Sequence, residues 1–311
     1  MEELSKQLVS QAIDLYLEHL ENMERRAKTI KGYRQDLGFW QKWLEAKCNG
    51  PVGLADLDEQ SVSQFLLWLK KDRGYKASSR RRLAATTKGF LQFCYRQKWL
   101  AEDLALTVPQ IKVVDKEREY LTPKQVQEWV NKVDGKLIKV IMWTIYYAGL
   151  RISEAVNLKL EDITFPVVTE DAETSQEGWI RIRNSKGGKH RVIPFAPKLV
   201  PILEDFRKWR VDSPHLFATA KTGWITTQNI QLRMREARER LGWSKGITPH
   251  TLRHSFASHV YQKTGDILVV SKLLGHVKLS TTQIYAHVAP QQLVDAMKVF
   301  ERPGVEKDLT T

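Results

Sequence analysis

Residues 179–194 read WIRIRNSKGGKHRVIP, and this stretch decides the class of the fold. Apolar and polar side chains alternate over residues 179–183 and again over 190–194, as they do in strands with one buried face. The turn between them contains the glycine pair Gly187 and Gly188, which favours a tight reversal of the chain. The stretch therefore predicts a β-hairpin within a domain that also contains helices.

Helical patterns lie on both sides of this hairpin. Thr122, Pro123 and Gln125 provide an N-cap, a proline at the first helical position and a capping-box glutamine, so a new domain begins near residue 118. Helices are predicted at about 123–133, 135–149, 151–158, 197–210, 227–241, 249–263, 266–274, 279–288 and 290–300. The acidic stretch 169–177 is predicted to be a solvated loop. The expected fold class is mainly α with a small β-hairpin or sheet, which makes this an α+β domain.

The N-terminal part of the chain, residues 1–107, is predicted to be a separate helical domain. Its helices are expected at about 4–22 and 27–47, after Asp58, and from Ser78 or Ser79, either of which can cap the helix, to about Trp99. Residues 108–118 include a proline and have no helical period, so they are predicted to be an extended linker. The second domain then covers residues 119–311.

The chain carries a net charge of +13 and has a pI near 9.6, an excess that usually indicates a nucleic-acid or anionic-membrane partner. Between Lys70 and Lys98 there are ten Lys or Arg residues and one acidic residue, Asp72. Charge of this kind binds phosphate backbones without reading sequence, and it predicts binding that depends strongly on salt. We expect five residues to bind DNA, namely Arg80, Arg81, Arg82, Lys88 and Arg233. The alternative is a basic face that contacts only solvent.

Other classes of protein find no support in the sequence. The longest apolar run, residues 137–150, is shorter than the roughly 20 residues that span a bilayer, and Cys48 and Cys94 lack metal-site spacing. The patterns GxxxxGK[ST], GxGxxG, HExxH and GxSxG, which would indicate nucleotide binding, a metalloprotease or a serine hydrolase, do not occur. The simplest account of the two cysteines is a reduced intracellular compartment with ordinary thiols.

Two pairs of chemically active residues have the spacing i, i+3, which puts both members on one face of a helix. They are Arg151 and Glu154, in AGLRISE (148–154), and His250 and Arg253, in HTLRHSFASH (250–259). Taken singly, the first pair is more often a surface ion pair, and the second more often a structural histidine beside a solvated arginine.

His276 and Tyr285 complete the set. His276 ends LLGH (273–276), and Ser280 with Gln283 forms a capping box that puts Tyr285 in the second turn of a helix, where a tyrosine is more often a packing residue. Together, however, two arginines can clamp one phosphate, histidines can transfer protons, a hairpin lysine can protonate a leaving oxygen, and a tyrosine hydroxyl can attack phosphorus. Such a set transfers a phosphoryl group without a metal ion, because the guanidinium groups stabilise the charge.

In this order, AGLRISE, SKGGKHR, HTLRHSFASH, LLGH and STTQIYAH resemble the motifs of the tyrosine recombinase (phage integrase) family, in particular those of Xer-type recombinases and compact integrases. Each motif is weak alone, but the ordered set is specific, and the resemblance covers nearly the whole chain. It implies a helical core-binding domain followed by a catalytic domain, the two forming a C-shaped clamp on DNA.

The resemblance also implies a role for each matched residue. Tyr285 corresponds to the nucleophile that forms a 3′-phosphotyrosyl bond, and Arg151 and Arg253 correspond to the arginines that hold the scissile phosphate. His250 corresponds to the general acid/base, and His276 to a residue that hydrogen-bonds the phosphate.

Two further matches concern the lysine and the acidic residue. Lys186 corresponds to the hairpin lysine that protonates the 5′-hydroxyl leaving group, and Lys189 is the near alternative, because the family's turn usually has glycine where Ser185 stands. Glu154 corresponds to the acidic residue that supports the first arginine. No metal or ATP is expected as a cofactor, because a phosphotyrosine retains the energy of the phosphodiester.

The implied activity is site-specific recombination of double-stranded DNA through a Holliday junction. The resemblance likewise implies a cytoplasmic, nucleoid-associated protein with no membrane partner. Strand exchange needs two duplexes and, by the resemblance, four protomers, as a homotetramer or as a heterotetramer with a related recombinase. The apolar tail at about 290–300, with Leu293, Met297 and Val299, is either a local core helix or a segment that docks on a neighbouring protomer. The family docks this segment between protomers, so docking is favoured.

Three other functions use part of the same pattern. A type IB topoisomerase would apply the same chemistry as a monomer to relax supercoils, and a non-cutting DNA-binding protein would keep the fold alone. A metal-dependent nuclease would need a carboxylate cluster, for which the sequence offers no spacing. The basic N-terminal domain, the apolar tail and the intact set of candidate residues favour the recombinase.

Overall fold

The computed structural model describes residues 7–113, 119–166, 178–183 and 190–275, together with Val294 and Met297. The chain divides into two compact units, residues 1–116 and 117–311, and each unit has its own hydrophobic core. The predictions for the hairpin turn 184–189, the acidic stretch 169–177 and the helix 279–288 lie outside the described residues.

The N-terminal unit is helical, as predicted, and its long helices are α1 (Val9–Asn22), α2 (Ala27–Cys48), α3 (Ser61–Lys71) and α4 (Ala77–Arg96). Its largest fully buried side chains include Trp40 of α2, Phe65 of α3 and Phe90 of α4. The rings of Trp40 and Phe90 meet edge to face with centroids 6.0 Å apart, and Trp40 Nε1 donates a hydrogen bond to the Ser61 carbonyl at 3.4 Å. The apolar stripes of three helices therefore close on one core.

The predicted start of α1 near residue 4 is wrong. Leu8 is extended and forms an antiparallel bridge with Gly53, and the amide of Val9 donates to the Val52 carbonyl at 2.9 Å. The helix begins only at Val9, because pairing with the chain around residue 53 holds Leu8 in a strand-like conformation.

The prediction that Ser78 or Ser79 caps α4 is also wrong. The helix begins at Ala77 with Lys76 as its N-cap, and the amide of Arg80 donates to the Lys76 carbonyl at 3.1 Å. Both serines therefore lie inside the first turn, and local turn geometry rather than a capping side chain starts the helix.

The first part of the predicted linker packs against this unit. Val108 and Ile111 are partly buried against its core. The lack of a helical period in this segment therefore does not make it fully solvated, because single apolar side chains are still buried.

In the C-terminal unit, helices come before and after a small sheet along the chain. In chain order its elements are α5 (Pro123–Lys132), α6 (Lys136–Ala148), α7 (Ile152–Val156), β1 (Ile163–Thr164), β2 (Trp179–Ile182), β3 (Arg191–Pro194), α8 (Leu199–Trp209), α9 (Thr227–Arg240), α10 (Pro249–Thr264) and α11 (Ile267–Leu274). The capping box of Thr122 and Gln125 starts α5, as predicted: each main-chain amide donates to the other residue's side-chain oxygen.

The predicted β-hairpin is confirmed as an antiparallel pair of β2 and β3, with Ile180 opposite Ile193 and Ile182 opposite Arg191. The short strand β1, which was not predicted, adds to the other edge of β2, so the order is β1-β2-β3. Arg191 is the first residue of β3 and pairs with Ile182 at the end of β2.

The core of this unit is filled by large apolar side chains from its helices and from the segment between α8 and α9, among them Trp129, Phe206, Phe217 and Phe256. Met297 is 2% exposed and belongs to the same core. At this residue the tail is therefore buried within its own unit, and docking of the segment on a neighbouring protomer stays a prediction. Within the described parts of both units, no helix has the length and apolar character needed to cross a membrane.

Candidate active site

The site begins at a turn that only glycine can form. Helix α6 ends at Gly149, whose φ of 62° lies in the left-handed region. A Cβ atom at this position would stand 2.5 Å from the ring of Phe256 in α10. The turn therefore brings the end of α6 into close contact with α10, and it delivers Arg151 to the start of α7.

Arg151 and Glu154 pair as their spacing predicted. Arg151 is the N-cap of α7, and its main-chain amide donates to Glu154 Oε2 at 2.8 Å while its side-chain Nη1 donates to Oε1 at 2.7 Å. The Arg151 side chain keeps 27% of its surface exposed, whereas that of Glu154 keeps 7%. The ion pair thus has a buried acidic end and an accessible basic end.

Glu154 is the centre of a cluster of three arginines. Arg191 donates from both of its terminal nitrogens to the two carboxylate oxygens at 2.9 Å each, and Arg253 Nη1 lies 3.5 Å from Oε2. Burial by itself raises the pKa of the Glu154 carboxyl, but the hydrogen bonds and charge of Arg191, with the hydrogen bonds of Arg151, outweigh it and lower the pKa to about 2. Glu154 is therefore ionised at neutral pH, and three guanidinium groups with one carboxylate leave the cluster positive.

Arg253 lies where four elements meet, namely its own α10, the ends of α6 and α11, and α7 through Glu154. It belongs to α10, is 6% exposed, and donates from Nη1 to the Gly149 carbonyl after α6 at 2.7 Å and from Nη2 to the Leu274 carbonyl at the end of α11 at 2.6 Å. Burial, together with the neighbouring charge of Arg151, lowers the pKa of Arg253 to about 9, so the group stays charged at neutral pH. A buried charge held by fixed carbonyls has a defined orientation before any ligand arrives.

His250 lies in the first turn of α10, three residues before Arg253, and it is exposed. Its position gives an accessible imidazole on the helix that carries the buried arginine. The structure thus brings Arg151, Glu154, Arg253 and Arg191 together, and it places His250 one turn from Arg253 on the same helix.

Three predicted site residues, Lys186, His276 and Tyr285, lie outside the described residues, as does Lys189. The described chain reaches Gly275, the residue before His276, which ends α11 with a φ of 62°. A Cβ atom on Gly275 would stand 2.7 Å from Cδ of Arg191, so this chain end lies against the arginine cluster.

Arg191 is the site residue that was not assigned from the sequence. It ends the string SKGGKHR, but its partner Glu154 is 37 residues away in the chain. One indication was present in the sequence. The predicted strand at 190–194 has one buried face, and an arginine within it can therefore be partly buried and need a partner. Only the register of β2 and β3 shows where its side chain goes.

The candidate DNA-binding residues differ in what they contact. Arg81 is exposed and Arg80 and Lys88 are half-buried, whereas Arg82 forms an ion pair with the buried carboxylate of Asp36, to which Thr86 also donates at 3.2 Å. Arg82 therefore has a structural contact within its own unit. In the C-terminal unit, Arg233 is exposed and pairs with Glu236 at 3.3 Å.

Two neighbours of Arg233 in α9 are held by the protein. Arg238 is 6% exposed and donates from Nη1 to the carbonyls of Lys245 and Ile247, and Arg240 pairs with Asp134 at 2.8 Å. Over the parts of the chain that the structure describes, no group of three or more His, Cys, Asp or Glu side chains could hold a metal ion.

Two comparisons with known proteins, one with family models and one with individual relatives, point to the same family. Residues 119–292 match the model of the phage integrase family, and residues 13–98 match that of the phage integrase N-terminal SAM-like domain. Tyrosine recombinase XerD of Pseudomonas putida is 31% identical over 277 residues, which is 85% of this chain and 88% of the relative.

Two solved structures have a similar fold. A λ integrase (75–356) dimer bound to a COC′ core site has a TM-score of 0.70 at 17% identity, and the match covers 88% of this chain and 96% of that one. A λ integrase tetramer bound to a Holliday junction has a TM-score of 0.70 at 17% identity, covering 91% and 81%. Identities this low show the fold alone. Since the family model matches more than half of the chain and XerD is similar over most of it, the chain belongs to the phage integrase family, the tyrosine recombinases.

Proposed function

We propose that this chain is a site-specific DNA recombinase in which Tyr285 attacks a scissile phosphate. The observation that supports this most directly is the convergence of Arg151 and Arg253 on Glu154, with the exposed His250 one turn before Arg253 in α10. Two guanidinium groups whose orientations are fixed by one buried carboxylate and two backbone carbonyls suit the two non-bridging oxygens of one phosphate.

The proposed chemistry exchanges the phosphodiester for a phosphotyrosyl bond and so retains its energy for rejoining. The Tyr285 oxygen forms a bond to phosphorus, the bond from phosphorus to the 5′-oxygen breaks, and the product is a 3′-phosphotyrosyl link. His250 takes the tyrosine proton, and Lys186, or Lys189 in its place, supplies a proton to the leaving 5′-oxygen. Arg151, Arg253 and His276 stabilise the charge on the phosphate, and a 5′-hydroxyl of the partner strand reverses the step.

The proposed partners are double-stranded recombination sites and three further protomers. The XerD relative is named as a tyrosine recombinase, and λ integrase has been solved as a tetramer on a Holliday junction. A tetramer of identical or closely related chains on two synapsed duplexes follows for this chain. We further propose that the reaction needs neither metal nor ATP, and that the protein works in the cytoplasm on chromosomal or mobile DNA.

Nicked duplexes drawn from a random pool test this proposal, because a nick next to the cleaved phosphate lets the leaving strand diffuse away and traps the covalent product. Wild-type protein with EDTA should give a protein–DNA band on a denaturing gel, and sequencing the trapped DNA should report the site. Tyr285→Phe should bind the same DNA but give no band.

Tyr261→Phe is the matched control, because Tyr261 is an exposed tyrosine of the same unit at 47% exposure. It should give the band at the wild-type level. A band that persists in Tyr285→Phe would move the nucleophile elsewhere, and a wild-type chain that gives no band on any DNA would contradict the proposed cleavage.

A further inference from the structure

Arg191 makes the most extensive side-chain contact with Glu154. Its two terminal nitrogens reach the two carboxylate oxygens at 2.9 Å each, a bidentate arrangement with parallel hydrogen bonds. The side chain is 12% exposed, so the contact is made largely out of water. Arg191 is therefore not placed to bind the phosphate itself, because both of its terminal nitrogens already donate to a protein carboxylate.

A bidentate contact fixes the plane of the carboxylate, which a single hydrogen bond does not. Arg151 then meets Oε1 with its side chain, and Arg253 approaches Oε2. The directions of the Arg151 and Arg253 guanidinium groups therefore depend on a plane that Arg191 sets. In a buried site this dependence is strong, because low dielectric and close packing leave few alternative arrangements.

Arg191 also touches the chain that leads to His276. A Cβ atom on Gly275 would stand 2.7 Å from Cδ and 2.8 Å from Nε of Arg191, so the arginine side chain occupies the space beside this glycine. Leu274, one residue earlier, accepts the hydrogen bond from Arg253 Nη2. Two arginines of the cluster thus contact the end of α11.

We propose that Arg191 is a positioning residue for strand cleavage: it fixes the Glu154 carboxylate and the chain at Gly275, and so aligns Arg151 and Arg253 on one phosphate. The proposal rests on the proposed function, in which those two arginines hold the scissile phosphate. Arg191 acts through its neighbours and forms no bond to the reacting atoms.

Three variants separate this role from a general effect on folding. Arg191→Gln removes the charge and the fork, and Arg191→Lys keeps the charge but cannot make two parallel hydrogen bonds. Arg210→Gln is the matched control, because Arg210 is a partly buried arginine of the same unit that donates to the backbone carbonyls of Ser213 and His215. Thermal midpoints identify a temperature at which every variant is folded.

At that temperature, DNA affinity and single-turnover cleavage of saturating nicked substrate are measured. We expect both Arg191 variants to bind DNA within about threefold of wild type and to cleave it roughly 10- to 100-fold more slowly, since small misplacements of binding groups cost rates of this order. Arg210→Gln should cleave at the wild-type rate. Arg191→Lys should not restore the wild-type cleavage rate, because it keeps the charge but loses the two parallel hydrogen bonds to Glu154.

A second substrate carries a methylphosphonate at the scissile position, which replaces a charged oxygen by a methyl group. Alignment of two guanidinium groups matters less for this neutral centre, so the deficit of the Arg191 variants should shrink at least about tenfold on one diastereomer. Partial unfolding would lower cleavage of both substrates equally.

The outcomes distinguish this inference from the proposed function. Wild-type cleavage with unchanged rates in folded Arg191 variants would overturn the positioning role alone. Equal deficits on the two substrates, or full recovery in Arg191→Lys, would also overturn it. Absence of cleavage by the wild-type chain would instead count against the proposed function.

Discussion

At Glu154, both carboxylate oxygens accept hydrogen bonds from guanidinium groups in a buried setting. Removing a charged partner from a buried ion cluster leaves the remaining charges uncompensated. Without the Glu154 carboxylate, the three neighbouring guanidinium groups would repel one another. Its pKa, lowered from 4.5 to about 2, corresponds to roughly 3 kcal/mol of stability at neutral pH.

We expect Glu154→Gln to lower the free energy of unfolding by about 3 kcal/mol at neutral pH. Because the folded-state pKa lies below the unfolded value, the contribution is present in full above about pH 4.5 and is lost as the pH falls towards about 2. Urea denaturation of both proteins from about pH 7 to about pH 3 should therefore show the difference shrinking by more than half.

Glu236→Gln provides the control, because Glu236 pairs with Arg233 at the surface, with both side chains more than a third exposed. Its effect should stay within about 0.5 kcal/mol at every pH. A Glu154→Gln difference that does not change with pH would show that shape, and not charge, accounts for the loss.

Among the structural elements, the end of α6 determines where Arg151 begins α7. Gly149 combines a left-handed backbone with a close approach to Phe256. Gly265, which ends α10, has a similar φ of 65°, but a Cβ atom there would meet nothing within 4 Å. The two glycines therefore separate backbone strain from steric overlap.

We expect Gly265→Ala to lower stability by about 1 kcal/mol through backbone strain alone, and Gly149→Ala by about 3 kcal/mol or more, because overlap with the Phe256 ring adds to the strain. Gly149→Ala should also slow cleavage at saturating DNA, since it displaces Arg151. Thermal unfolding and single-turnover cleavage of the two variants measure this. Equal destabilisation by both would mean that α10 moves aside at no cost.

The helices and the hairpin could be predicted because their signals are local. The i, i+3 spacing predicted the pairing of Arg151 with Glu154, and strand alternation predicted β2 and β3. The contact of Arg191 with Glu154 depends on strand register and on the placement of α7, so the strand pattern around Arg191 could indicate a half-buried arginine but could not name its partner. The predicted start of α4 was wrong because the two serines, whose side chains are suited to capping, lie inside the first turn of the helix.

At the scale of the whole molecule, the two units bury separate hydrophobic cores. Trp40 is fully buried in the first and Trp129 in the second, where its Nε1 donates to the Met234 carbonyl at 3.0 Å. Both tryptophans are large side chains with one hydrogen bond each, so replacing either creates a comparable cavity in a different unit.

We expect Trp40→Ala and Trp129→Ala each to lower the stability of its own unit by about 3–5 kcal/mol. In calorimetry, each variant should move a different transition down by roughly 10 °C or more and leave the other near its wild-type position. Trp40→Ala should weaken DNA binding through loss of the basic α4 surface, whereas Trp129→Ala should abolish cleavage first. A single transition that both variants lower together would mean that the two cores unfold as one cooperative unit, and substitutions in either unit would then affect binding and cleavage alike.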